Sequence, residues 1–324
     1  MKWTLPRAGV LVAALSVAAV VASACGSGGD GASKTPTAPA TTVDLSKDDL
    51  GRSVTLPPSP KRIVAMSPTI VELMFEVGAT PVGRPSSADY PEAAKAIPAF
   101  GTSYEPSTEQ IVAMKPDLII ADAIIHQSQM ETLTKLGAPV FAVRAGSFDE
   151  VVKGLRVVGA LTGNKEAGEK AAKALEEKLA GILAKKPATS PTVLIIVGAG
   201  PTQIFAAKND SYVGDVVRKL GGVNPITTEP ENFRFPGFAD YSLERILEKN
   251  PDIIIAISPG PASAPKTSDS LARSPVWSTL KAVKEGRVYE VDPVVYVQSA
   301  GPRLSLILDE LPRILYPDVF KAAR

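Results

Sequence analysis

From residue 62 onward, short continuous apolar runs alternate with stretches whose apolar positions recur every three or four residues. RIVAM (62–66), PDLIIA (116–121), PVFAV (139–143), VLIIV (193–197), DIIIA (252–256) and RVYEV (287–291) are too short and too uniformly apolar for surface helices, and they predict buried strands. Between them TIVELMFEVGA, STEQIVAM, QMETLTKLGA, SYVGDVVRKLGG and SLERILEK predict helices. PVGR (81–84) predicts a further short strand, and Asp44 to Pro57, with its Asp49-Leu50-Gly51 turn, predicts a hairpin. GPRLSLILDELPRILYP predicts a closing helix, kinked or broken where Pro312 removes a backbone donor. Strand and helix alternating in this way predict an α/β fold of mainly parallel sheets covered by helices.

The stretch from Asn164 to Pro187 is different in kind. Ala171, Leu175, Leu179 and Ile182 give it one narrow apolar stripe, and Lys170, Lys173, Glu176, Glu177 and Lys178 cover the rest. Asn164 suits the N-cap, Glu166 and Glu169 the first turn, Lys185 and Lys186 the last, and Pro187 the stop. Such a helix spans about 33 Å and fits a strut between two lobes, the alternative being a surface helix of one larger domain.

A repeat favours two lobes. Ser107, Glu109, Ile111, Pro116, Asp117 and Ile119 to Ala121 match Ser242, Glu244, Ile246, Pro251, Asp252 and Ile254 to Ala256 at a constant offset. Glu109 and Glu244 each fall two residues after a capping Ser, where the helix dipole favours acid. Two exposed carboxylates on a rigid frame also suit docking to paired basic pockets on a two-fold partner.

Composition narrows the function. A chain of 324 residues, 45% hydrophobic, with a net charge of +1 suggests about two domains and nothing directed at nucleic acid. One Cys and one His exclude disulfide frameworks and zinc sites built on several such ligands. Lys2 and Arg7 precede the apolar run GVLVAALSVAAVVASA, which reads as a targeting segment, with an uncleaved anchor as second choice. Cys25 follows Ala22-Ser23-Ala24 and precedes a Gly/Ser/Thr/Pro-rich stretch. This arrangement resembles the lipobox of bacterial lipoproteins, with Ala22 where that motif usually has Leu, and implies acylation of Cys25. The expected organisation is a leader over 1–24, a flexible tether over 25–43, a first lobe over 44–163, the linking helix over 164–187 and a second lobe over 188–324.

KRIVAMSPTIVELMFEVGATPVGR, DYPEAAKAIPAFG, PSTEQIVAMKPDLIIA, SYVGDVVRKLGG, YSLERILEKNPDIIIA and GRVYEV together resemble the substrate-binding lipoproteins of ABC importers for iron siderophores and cobalamin. The resemblance runs from Asp44 to Pro317. It implies two Rossmann-like lobes joined by a single long rigid helix, a ligand held between them, and small opening motions. It also implies that Glu109 and Glu244 pair with arginines of a dimeric permease that carries ATPase subunits. The expected molecule is an extracytoplasmic, lipid-anchored monomer without cofactor or resident metal. A ferric siderophore is the favoured ligand, with cobalamin or haem as alternatives.

Because ligands of open α/β sheets sit at the carboxyl ends of strands, the lining is expected from Ser67, Asp89, Tyr90, Tyr104 and His126 in the first lobe. Phe233, Arg234, Phe235, Tyr296 and Gln298 are the counterparts in the second, with Thr202, Gln203 and Ser258 nearby. Aromatics and an arginine on irregular segments suit a bulky anionic chelate. His126 is a candidate axial haem ligand or a solvated loop histidine. The rival class is an extracytoplasmic enzyme, but the chain has no GxSxG, HExxH or P-loop pattern, and the VGAGPTQ glycines make only a weak phosphate-loop signal.

Overall fold

The computed structural model describes residues 43–198, 203–232, 235–260, 265–273, 275–298 and 300–321. The expected leader and Cys25 lie outside the described residues. The first lobe holds β1 (Ile63–Ala65), α1 (Pro68–Glu76), α2 (Thr108–Ala113), β2 (Leu118–Asp122), α3 (Met130–Leu133), β3 (Val140–Val143) and α4 (Phe148–Leu161). Its sheet runs β1-β2-β3, all parallel. The connection between lobes is α5 (Lys165–Leu183), of 19 residues and thus about 28 Å long. The second lobe follows with β4 (Val193–Gly198), β5 (Ile204–Ala207), α6 (Tyr212–Lys219), β6 (Phe238–Asp240), α7 (Leu243–Lys249), β7 (Ile253–Ile257), α8 (Thr267–Arg273), α9 (Lys281–Lys284), β8 (Val288–Val291) and α10 (Leu304–Leu315).

That second sheet is mixed, in the order β6-β5-β4-β7-β8. β4, β7 and β8 run parallel to one another, whereas β5 pairs antiparallel with both β4 and β6. The short link from β4 to β5 leaves no room for the crossover that parallel pairing requires.

Alternate strand residues feed different cores. Val64, Ile119, Ala121 and Val140 face an outer core of the first lobe with Phe100, Ile111 and Met130. Leu194, Ile196, Ile254 and Ala256 face an outer core of the second lobe with Ile226 and Trp277. The opposite faces, Ile63, Ala65, Leu118 and Ile120 from one sheet and Val193, Ile195, Ile253 and Ile255 from the other, belong to one apolar cluster that continues through α1, α4, α5, α6 and α10. The lobes therefore share a core as well as a connecting helix.

The sequence repeat is a structural repeat. Ser107 and Ser242 cap α2 and α7, accepting from the Gln110 and Arg245 amides. Each helix leaves through a non-glycine residue at positive φ, Lys115 at 47° and Asn250 at 40°. Asp117 then accepts from the amides of Lys61 and Arg62 at 2.7 and 2.9 Å, and Asp252 from that of Thr192 at 2.8 Å, so each aspartate clamps the entry of the neighbouring parallel strand.

Several local expectations need correction. No hairpin forms over Asp44 to Pro57, because the buried Asp48 carboxylate accepts the Leu50, Arg52 and Ala142 amides that a ladder would use, at 3.1, 2.9 and 3.2 Å. PVGR is reduced to single bridges of Gly83 with Val64 and Arg84 with Ala99, Pro81 having no amide to give. α10 runs through Pro312 unbroken, since burial of Ile307, Leu308, Leu311, Ile314 and Leu315 outweighs one lost backbone bond. Asn164 does not cap α5; its side chain donates instead to the Val77 carbonyl beyond α1, at 2.9 Å.

Candidate functional site

The strands of the first lobe end in one fastened set of loops. Ser67 caps α1, accepting from the Ile70 amide at 3.2 Å, and donates its hydroxyl to Asp122 at 3.0 Å. The other Asp122 oxygen accepts from the amides of Ile124 and Ile125 at 2.9 and 3.2 Å. His126 closes this turn. Its Nδ1 accepts from the Asp122 amide at 3.1 Å, which leaves Nε2 protonated to donate to the Ser103 carbonyl at 3.0 Å. The ring is 0% exposed, and burial holds its pKa below 6.5 against the opposing charge of Asp122. A haem-ligand or cleft role for His126 is thus excluded in this fold, as both ring nitrogens are spent on backbone. Ser67, also fully buried, is likewise a loop fastener rather than a ligand contact.

Arg84, the last residue of PVGR, is buried and donates to the carbonyls of Pro85, Ser86, Lys95 and Ile97 at 3.0 to 3.3 Å. It moulds the 85–98 loop, which presents Asp89 and Tyr90 to solvent. Asp89 lies 3.4 Å from the Arg84 guanidinium, and Tyr90 is 50% exposed. Tyr104 is the most open of the expected aromatics, at 71%. In the second lobe Phe235 is exposed and stacks on Phe205 with ring centroids 4.8 Å apart. Tyr296 is a correction: it is 1% exposed and donates to Glu310 at 2.8 Å, so it belongs to the core, drawn in by the same apolar cluster that holds α10. Ser258 is consumed by Glu290 and by the Thr267 amide at the start of α8. Thr202, Phe233, Arg234 and the Gln298 side chain lie outside what is described.

The lobes face each other across a pocket of about 490 Å³. The first lobe contributes Ile124, Arg144 and Glu150, from the ends of β2 and β3 and the start of α4; the second contributes Asn209, Asp210 and Arg218 around α6. Asp215 stands between, accepting from the Phe148 amide of the other lobe at 2.9 Å and pairing with Arg218. Glu150 accepts from the Gly146 amide at 2.8 Å, and Asp210 lies 3.6 Å from Lys208. The Arg144 guanidinium has no hydrogen bond or ion pair among the described residues. Arg144, Glu150, Asn209, Asp210, Asp215 and Arg218 were not expected from sequence, although the strand-end rule points to Arg144, the first residue past β3.

Glu109 and Glu244 occupy matching first turns of α2 and α7, both exposed and neither in an ion pair among the described residues. The Glu244 backbone amide and the Ser242 hydroxyl hold the Glu244 carboxyl below its usual range. No group of His, Cys, Asp and Glu among the described residues is arranged to hold a metal ion.

Two α/β lobes on one connecting helix, with a charged pocket between them, are the architecture of a two-lobed solute-binding protein. Residues 63–295 match the family model described as periplasmic binding protein, and the chain belongs to that family. It is 30% identical to an uncharacterized ABC transporter substrate-binding lipoprotein, YvrC, of Bacillus subtilis, over 97% of this chain and 99% of that one. It is 27% identical to the Fe(3+)-citrate-binding protein YfmC of the same organism, over 80% and 81%. An ABC transporter substrate-binding protein from Listeria monocytogenes superimposes with a TM-score of 0.68 at 25% identity, over 80% of this chain and 99% of that one. The chain is accordingly the substrate-binding protein of an ABC importer, working with a permease and its ATPase, and not an enzyme.

Proposed function

We propose that this protein captures an anionic ferric chelate of the siderophore class between its lobes and delivers it to the permease from a lipid anchor at Cys25 on the outer face of the membrane. The observation that carries the reading is Arg144, a guanidinium without a carboxylate partner among the described residues, in a pocket bounded by both lobes. A planar five-donor fork matches a carboxylate bidentately, and such groups are what hydroxycarboxylate chelates present. Two of the pocket acids are paired with other cations, Asp215 with Arg218 and Asp210 with Lys208, while Glu150 accepts from the Gly146 amide. Exposed Tyr90 and Phe235 supply apolar surface for the body of a bulky ligand. The Fe(3+)-citrate-binding relative supports the same class of ligand. Glu109 and Glu244 are read as the two acids that meet basic pockets of the permease.

Calorimetric titration with ferric citrate, a ferric hydroxamate, haem and cyanocobalamin tests the ligand. Saturable binding is expected for the carboxylate-bearing ferric chelate, weakened at least about tenfold by Arg144→Ala, equivalent to about 1.4 kcal/mol. Tight binding of cobalamin or haem instead, or an Arg144→Ala protein with undiminished affinity, would refute the assignment.

A further inference from the structure

Glu72 is a charge in a helix that has no place for one. Its neighbours on α1, Ile70, Val71, Leu73 and Met74, are fully buried, and its own side chain is 2% exposed. A carboxylate so placed is costly unless it is paired and fully hydrogen-bonded. Its partner comes from the other lobe. Arg303, at the start of α10, donates through Nε at 2.9 Å and through a terminal nitrogen at 2.6 Å to the two carboxylate oxygens. The Tyr90 ring, from the exposed loop of the first lobe, lies over the guanidinium at 4.7 Å. Tyr212, the first residue of α6, sits beside the pair. Its buried hydroxyl approaches the Gly301 backbone without reaching hydrogen-bond geometry; burial pushes its pKa up and the charge of Glu72 adds to that.

We propose that the Glu72–Arg303 pair is an inter-lobe clasp that holds the cleft at one width, with Tyr90 as its cover. The pair is half in each lobe, so neither lobe needs it to complete its own outer core. Removing either member takes away the other's buried counter-ion, and the cheapest relief is for the lobes to part and admit water. Among the described residues, other inter-lobe polar links, Phe148 to Asp215 and Lys219 to Asp149, lie along α4 and α6, and the second of them involves an exposed aspartate. Because Tyr90 is the cover and is half open to solvent, displacing its ring wets the clasp. This inference holds whichever ligand the cleft takes.

Hydrogen exchange followed by mass spectrometry on the whole protein, without ligand, tests it. In Glu72→Gln and in Arg303→Met, amides of 70–77, 211–215 and 301–306 are expected to exchange at least about tenfold faster, with β2 and β7 unchanged. Arg303→Lys, which keeps charge but loses the fork, should fall between. Tyr90→Leu alters only a half-exposed ring, and should make exchange at the same segments rise between about 0.05 and 1 M salt, where the wild type does not respond. Exchange at these segments equal to wild type in the folded clasp variants would overturn the proposal, as would a uniform acceleration that includes β2 and β7. Should the Glu72 and Arg303 variants not fold, salt-insensitive exchange in Tyr90→Leu, indistinguishable from wild type, would overturn it.

Discussion

Gly168→Ala sets two effects of opposite sign against each other. Glycine inside a helix costs about 1 kcal/mol relative to alanine, so on an isolated α5 the change is stabilising. In the folded chain, however, α4 and α5 meet backbone to backbone at Gly159 and Gly168. A Cβ at Gly168 would stand 2.6 Å from the Leu155 carbonyl oxygen and 3.2 Å from the Gly159 Cα. Those are main-chain atoms of a helix and cannot rotate away, so α5 has to retreat by roughly 0.7 Å to reach ordinary contact. Retreat stretches the fork by which Arg156 on α4 holds Glu169 and Glu176 on α5, now at 2.7 to 3.4 Å. Overpacking of this kind costs about 1 to 3 kcal/mol, and an unyielding neighbour puts it in the upper part of that range. After the helix-propensity gain a net loss of about 1 to 2 kcal/mol remains, a fall in Tm of about 2 to 4 °C for a chain of this size. Gly181→Ala is the matched control, on the same helix with nothing within 4 Å of the added Cβ, and should raise Tm slightly. Thermal unfolding followed by circular dichroism of the two variants decides the matter. If Gly168→Ala stabilises as much as Gly181→Ala, the close crossing that seats the connecting helix on the first lobe is wrong.

Three further outcomes are expected. Reversing both Glu109 and Glu244 to Lys should lower cellular uptake of the ligand at least about tenfold while leaving its affinity in solution unchanged; normal transport by the double variant would remove the docking role. Cys25→Ser should shift the protein from the membrane fraction to the soluble one, and continued membrane retention would argue for an uncleaved anchor. His126 sets a pH dependence. A base whose pKa is depressed in the fold binds protons more readily unfolded, so its contribution is complete above pH 6.5 and is lost as pH falls below that value. A single site adds a slope of at most about 1.4 kcal/mol per pH unit. Urea midpoints at about pH 7.5 and 5.5 should therefore separate more in the wild type than in His126→Gln, and equal separations would mean that the imidazole is not held neutral.

The strand and helix order was legible because each buried strand is apolar on both faces and each helix on one, and the two copies of the Ser-x-Glu unit gave the lobes. Even the aspartates of the repeat, Asp117 and Asp252, have one role in both copies. Burial pushes the Asp252 carboxyl up, but Lys281 and the amide and hydroxyl of Thr192 outweigh it and hold the pKa at about 2. Where a side chain competed with the backbone, the pattern misled. Asp48 took the amides of the expected hairpin, and Asn164 reached across to α1 instead of capping its own helix.

The site was harder to read for a related reason. His126, Ser67 and Tyr296 carry suitable chemistry, but their partners are already present: the Asp122 amide and Ser103 carbonyl, the Asp122 carboxylate, and Glu310. A polar residue at a strand end is free for a ligand only when its neighbours are otherwise engaged. Arg144 meets that condition. Asp49, the acid that approaches its backbone, gives one oxygen to the Arg144 amide at 2.8 Å and the other to Lys153, and the guanidinium is in no ion pair among the described residues. Glu72 illustrates the converse, a buried charge that meets its counter-ion across the lobes. A lone acid in the run TIVELMF is thus a sequence signal for an inter-lobe partner, although nothing in the linear order says that Arg303 supplies it.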